Sequence, residues 1–232
     1  MKIGGLQKIS LLDYPNKLSA IIWTVGCNLQ CPYCYNKQLL DKNTIKIINE
    51  EDVLLFLKKR KGKLEALSIS GGEPLLHEDI FNFCNKVKKI GYLIKIDTNG
   101  TFPDKLKKLI DEQLVDYISM DIKAQKNKYD IICKKKVNIK NIQKSIDLIK
   151  NFSKKYEFKT TILPSLLNKN DIIEIAELLK GADQYYLQQF KNELPLLSKK
   201  LEKIEQYSKE YLIEIIEEIR HFFNRCSFRG EW

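Results

Sequence analysis

Arginine is scarce in this sequence. Of 40 basic residues only four, Arg60, Arg220, Arg225 and Arg229, are arginine, and the rest are lysine. Proteins that read bases grip them with arginine forks. The formal charge of +10 therefore describes a lysine-coated surface and argues against a nucleic-acid reader. Histidine is scarcer still, with two residues. His77 reads as a helix-start residue and His221 as a last-turn cation, and no His/Cys/Asp or paired-carboxylate constellation stands at the spacing of a hydrolase. No apolar run approaches the roughly 18–20 residues of a membrane span. The opening MKIGGLQKISLLDYP lacks the apolar core and cleavage site of a secretory signal. The expectation is a cytoplasmic protein whose six cysteines are reduced or metal-bound rather than bridged.

No repeat, low-complexity tract or linker divides the 232 residues, which read as one domain. Its core is expected over about 16–192, with a helical extension over 193–232. Apolar runs rich in Ile, Val and aromatics predict strands at 18–25, 64–70, 92–98, 116–122, 156–163 and 183–190. Between them, apolar residues at helical spacing opposite Lys or Glu predict helices at 50–60, 78–90, 103–112, 141–152 and 169–180, with a last helix at 205–223. Asn49 with Asp52 at a helix start, Pro103 in a first turn and glycines past several helix ends punctuate this order. Strand–helix alternation implies a parallel sheet with right-handed crossovers. The predicted fold is α/β, an open doubly wound sheet or a partial (β/α)6 barrel. In both, functional residues gather beyond the C-terminal strand ends. The unusual polar stretches do follow strands: GC after the first, GGEP after the second, DTNG at the third, DIK at the fourth and QQFK at the last.

The stretch GCNLQCPYCYN sets Cys27, Cys31 and Cys34 at C-x3-C-x2-C in one loop. Thiolates in a reducing compartment hold zinc or an iron–sulfur cluster. A structural zinc site closes with four ligands, and four cysteines are usual for a [4Fe–4S] cube. Three ligands leave one metal position open, as in a catalytic site. Cys84 falls on the apolar side of a helix and reads as core, while Cys133 and Cys226 stand alone in the sequence. A zinc site completed from afar by Cys84 or His77 remains the competing reading.

C-x3-C-x2-C after a first strand resembles the signature of the radical S-adenosylmethionine superfamily. The wider stretch from Gly5 to Asn36, followed in order by SGGEPL, DTNG and MDIK, resembles its glycyl-radical-enzyme activating branch, which includes the activases of anaerobic ribonucleotide reductase and pyruvate formate-lyase. The resemblance implies one [4Fe–4S] cluster on Cys27, Cys31 and Cys34, whose open iron chelates the methionine part of S-adenosylmethionine. It implies that Gly71, Gly72 and Glu73 hold the cofactor's amino group and that Tyr33 meets the adenine beside Cys34 and Tyr35; Asn99 with Gly100 reads either as an ordinary turn or as a contact to the ribose. It further implies a monovalent cation near Asp97, Thr98 and Asp121, with Lys123 paired to Asp121 or to the cofactor's carboxylate. The implied activity is reductive cleavage of S-adenosylmethionine, followed by removal of a glycine Cα hydrogen from a partner enzyme such as an anaerobic ribonucleotide reductase. The electron would come from reduced flavodoxin or ferredoxin, which a lysine-rich surface could attract.

Two positions depart from the family pattern. Tyr35 follows the third cysteine where relatives commonly carry His, and Lys191 lies nearest to a second family histidine after the last barrel strand. Both leave cofactor binding intact and the target protein open. The competing functions are a small-molecule radical enzyme similar to 7-carboxy-7-deazaguanine synthase, and a non-catalytic zinc- and nucleic-acid-binding protein.

Overall fold

The computed structural model describes residues 1–41, 45–191 and 196–230. Among the described residues, eight strands form one sheet in chain order: β1 (Ile3–Ser10), β2 (Ser19–Thr24), β3 (Ala66–Gly71), β4 (Leu93–Thr98), β5 (Tyr117–Asp121), β6 (Lys155–Ile162), β7 (Gln184–Gln189) and β8 (Arg225–Arg229). Strands β2 to β8 run parallel, and β1 lies antiparallel against β2. The crossovers carry α1 (Glu50–Arg60), α2 (Ile80–Ile90), α3 (Pro103–Asp111), the short α4 (Tyr129–Cys133) with α5 (Ile139–Lys150), α6 (Lys169–Leu179) and α7 (Lys209–Ile219). All six expected strands are present. Two more, β1 and β8, flank them as edges that do not pair with each other, so the barrel is open.

The helices start where side chains replace missing backbone partners. Asn49 caps α1 by accepting the Glu51 N–H at 3.1 Å, and Asn168 with Asp171 forms a reciprocal capping box on α6, each worth about 1 kcal/mol. The last helix is shorter than its periodicity predicts. Ser208 accepts the Tyr211 N–H at 3.2 Å and starts α7 there, and residues past Ile219 tighten into a 3-10 turn. The C-terminal extension is therefore not helical throughout, because its final strand adds to the sheet beside β7.

The two faces of the sheet differ. The helix-facing side packs an apolar core that includes Ile22, Leu67, Ile69, Ile94, Ile96, Ile118, Phe158 and Leu187. The inner side is polar. There, Arg229 of β8 bonds Glu157 of β6 at 2.7 and 2.8 Å, reaching past β7, which shows how strongly the sheet curves. At the N-terminal end of the barrel the DYP segment forms a floor. Tyr14 packs edge-on against Tyr117 with ring centroids 5.7 Å apart, and the Ser68 hydroxyl donates to the Asp13 carbonyl at 3.0 Å. With one end plugged by aromatics, the functional mouth lies at the other, as parallel strand topology dictates.

Candidate active site

The three-cysteine loop leaves β2 at Thr24 and is fixed from three sides. The Gly26 N–H donates to the Leu39 carbonyl at 2.7 Å, the Gln30 N–H to the Cys133 carbonyl at 2.9 Å, and the Cys34 N–H to the Cys31 carbonyl at 3.0 Å. The glycine turn after β3 grips the same loop, with Gly72 N–H donating to Thr24 and Glu73 N–H to Gly26, both at 2.9 Å. This approach requires glycine. A Cβ on Gly72 would stand 1.9 Å from the Gly26 carbonyl oxygen, and Gly71 holds φ +119° against β2.

Between these loops and the C-terminal ends of β3 to β7 lies a cavity of about 250 Å³, far larger than the roughly 30 Å³ of one water. Every residue assigned to the site from sequence lines it, except Glu73. Glu73 is fully buried and sits beneath the lining. Its carboxylate accepts the Leu75 N–H at 3.1 Å, the Thr98 hydroxyl at 2.8 Å and the Asn99 N–H at 2.7 Å. It thus ties the β3 turn to the β4 turn. Burial pushes this carboxyl up to about 7, against the three donors. Gly71 and Gly72 of the same turn line the cavity directly.

Cys27, Cys31 and Cys34 all line the cavity, and three thiol donors on one wall are a set that an iron–sulfur cluster can use. Neither expected zinc helper is at hand: Cys84 is wholly buried in α2, and His77 lines a different cavity beside Met1 and Asp79. Burial pushes the Cys27 thiol up to about 12 and raises Cys34 as well, so a cationic metal centre would be needed to hold both as thiolates. Donors already face the Cys27 sulfur. The Leu29 N–H lies 3.4 Å from Cys27 Sγ and the Asn99 amide nitrogen 3.9 Å from it, while that amide also donates to Asn28 at 2.9 Å. The Tyr33 hydroxyl is a buried polar atom on the cavity wall with no hydrogen-bond partner among the described residues.

Cys133, isolated in sequence, is brought by α4 against Cys31. Its S–H donates to Cys31, lowering that thiol while its own is raised. The inner wall holds other charged residues that sequence reasoning missed: Lys95, Glu157, Lys159 and Arg229. The signal for the first three was the period-2 placement of charges inside apolar strands, Lys95 and Asp97 in LIKIDT and Glu157 and Lys159 in KYEFKTTI. Lys95 pairs with Asp97 at 2.7 Å, Lys123 with Asp121 at 3.3 Å, and Lys159 lies 3.7 Å from each aspartate. Burial would raise Asp97 and lower both Lys123 and Lys159. The ion pairs overcome it, holding Asp97 well below the usual carboxylate range and both lysines above theirs.

An open, mostly parallel α/β barrel with three loop cysteines at its mouth defines a class of metallocluster protein. Comparison with known proteins gives the family: the description of the Radical SAM superfamily matches residues 21–180. A protein of Methanocaldococcus jannaschii, provisionally named a glycyl-radical enzyme activating enzyme, is 37% identical over 197 residues, covering 81% of this chain and 79% of its own. A second protein of that organism with the same provisional name is 30% identical over 188 residues, covering 79% and 70%. Among solved structures, Streptococcus suis SuiB bound to S-adenosylmethionine superposes with a TM-score of 0.66 at 18% identity, over 90% of this chain. The chain spans half the length of that structure, and the likeness speaks to the fold. The chain belongs to the radical SAM superfamily, in its glycyl-radical-enzyme activating branch. The family implies a [4Fe–4S] cluster, which Cys27, Cys31 and Cys34 would hold, and S-adenosylmethionine. Among the described residues, no helix is long and apolar enough to cross a membrane.

Proposed function

We propose that this protein activates a glycyl-radical enzyme by removing a Cα hydrogen from one glycine of that partner. The observation that carries the reading is the meeting of Cys27, Cys31 and Cys34 on one cavity at the mouth of an open barrel. When bound, the cluster supplies the electron that cleaves S-adenosylmethionine into methionine and a 5′-deoxyadenosyl radical. The chain's own residues do the rest. Gly71 and Gly72 let backbone approach the methionine part, Tyr33 and Tyr35 wall the nucleoside side, and Lys123 presents a cation to the carboxylate. Asn99 steadies the Cys27 sulfur and the loop beside the ribose. The edges β1 and β8 do not pair with each other and leave the barrel open, which suits entry of a glycine loop better than a closed barrel does. A glycine is a suitable target because flanking amides stabilise its α-radical and no side chain blocks access. An anaerobic ribonucleotide reductase is a fitting partner, with reduced flavodoxin or ferredoxin as electron donor drawn by the lysine-rich surface. The reading places the protein in the cytoplasm.

The test is anaerobic reconstitution with iron and sulfide, then reduction in the presence of S-adenosylmethionine. Formation of 5′-deoxyadenosine, lost in Cys31→Ala, supports the radical chemistry. A glycyl signal in electron paramagnetic resonance on adding a candidate partner supports the activase role. Deoxyadenosine without a glycyl signal from any such partner would move the protein to a small-molecule substrate.

A further inference from the structure

Five charged side chains share the upper interior of the barrel: Lys95 and Asp97 on β4, Asp121 ending β5, Lys123 just beyond it, and Lys159 on β6. Sheet register sets Lys159 directly beside Asp121. Its Nζ lies 3.7 Å from Asp97 Oδ1 and 3.7 Å from Asp121 Oδ2. Lys95 Nζ holds the same Asp97 oxygen at 2.7 Å, and Lys123 Nζ stands 3.3 Å from Asp121 Oδ1. Among the described residues, three ammonium groups thus face two carboxylates, one positive charge beyond neutrality. Lys123 and Lys159 line the cavity together with both aspartates, while Lys95 lies behind them.

This is where a mobile cation is expected from sequence, and the expected ligands are already engaged. Thr98 donates its hydroxyl to Glu73 at 2.8 Å. Asp97 and Asp121 each have a lysine in contact and share a third. Two carboxylates in a largely buried mouth need a cation between them, and an ammonium matches potassium in charge and closely in size. A metal ion added there would be a fourth positive charge against two negative ones, in a space where repulsion is poorly screened.

We propose that the Lys159 ammonium is the built-in monovalent cation of this site, standing in place of a bound potassium or sodium ion between Asp97 and Asp121. With Lys123 it leaves surplus positive charge facing the cavity, suited to a ligand carboxylate. That the carboxylate is the methionine end of S-adenosylmethionine rests on the function proposed above; the replacement of the ion does not. A tethered cation cannot be diluted away, so the site should be indifferent to the alkali ion present.

Two measurements separate these claims. The first is the melting temperature of the cofactor-free protein in potassium chloride and in tetramethylammonium chloride at equal ionic strength. The wild type is expected to melt identically in both, and Lys159→Met to melt lower in tetramethylammonium and recover in potassium. The second is calorimetric binding of S-adenosylmethionine to the reconstituted protein in the same two salts. The wild-type affinity should agree within about twofold, and Lys159→Met should bind roughly tenfold more weakly without potassium. A wild type that melts lower or binds roughly tenfold more weakly without potassium overturns the proposal, and needs no variant to show it. So does a Lys159→Met protein that equals the wild type in tetramethylammonium. Failure of any S-adenosylmethionine binding would count against the functional reading alone, because the melting comparison still decides the role of Lys159.

Discussion

The hydroxyl of Tyr35 accepts the backbone N–H of Lys191, joining the three-cysteine loop to the end of β7 across 156 residues of sequence. The two positions where the sequence departs from the family pattern are thus in contact, and they share one latch. Removing the hydroxyl in Tyr35→Phe keeps the ring and deletes the bond. The expected cost is about 1 kcal/mol, confined to the mouth. Hydrogen exchange at the Lys191 amide should accelerate by about fivefold, while amides of β4 and β5 keep their protection. Unchanged exchange at Lys191 would mean that the bond contributes nothing in solution.

Gly72 and Gly62 make a matched pair of alanine substitutions. At Gly72 the new methyl meets the Gly26 carbonyl at 1.9 Å, so the loop bearing Cys27 must shift. At Gly62 there is open space but φ is +79°. Gly72→Ala should cost about 2–3 kcal/mol from overpacking and lower the iron bound per chain after reconstitution. Gly62→Ala should cost only about 1–2 kcal/mol from left-handed strain, with full iron content. Urea denaturation and iron analysis on both proteins check this.

The strands and cysteines were legible in the sequence because both signals are local. Ile22, Ile69, Ile96 and Phe158 sit in apolar runs, and the functional stretches follow those runs directly. The inner wall was harder to read. Glu157 and Arg229 meet only because β8 folds back beside β7, and RCSFR, with three polar residues in five, carries no strong strand signal. The start IGGLQKIS was equally quiet, since its glycines hide a strand that packs against β2. Lys159 carries only a period-2 signal inside an apolar strand; sheet register is what places it beside Asp121. Cys133 reaches Cys31 through the fold of α4, which no spacing in the chain announces.

Glu157 gives the clearest electrostatic test of that inner wall. It is almost wholly buried and takes Arg229 through both oxygens, with Tyr117 and Ser119 hydroxyls donating at 2.9 Å. Burial alone would raise its carboxyl, and Arg229 more than offsets this, so the net direction is downward. Arg229→Met strands the carboxylate. Because Arg229 is itself 39% exposed, the cost should fall below the ~3–5 kcal/mol of a fully buried pair, at about 2–3 kcal/mol. The pH dependence should also reverse. In the wild type this pair's contribution is lost as pH falls through the lowered carboxyl pKa. In Arg229→Met, acidification should instead recover stability by neutralising Glu157. Adding Glu157→Gln to Arg229→Met should restore most of the loss at neutral pH, as read from urea midpoints.

Glu73 predicts the opposite slope from Glu157 in the wild-type protein. Its folded-state value of about 7 stands above its ordinary 4.5, because burial disfavours the charge. The unfolded chain releases this proton near 4.5 while the folded chain keeps it until about 7. The stability it contributes is therefore full below about 4.5 and is lost as pH rises to about 7, on the order of 3 kcal/mol in all. Glu73→Gln cannot ionise and should remove this slope. It adds a pH-independent cost of about 1–3 kcal/mol, because its amide NH2 would face a donor, the Asn99 N–H or the Thr98 hydroxyl. Urea midpoints of wild type and Glu73→Gln between pH 4.5 and pH 8 isolate the effect, since every other group cancels in the difference. A difference that stays constant across that window would show that the three donors keep Glu73 ionised inside the fold. The strap between the β3 and β4 turns would then be a buried charge rather than a shared proton.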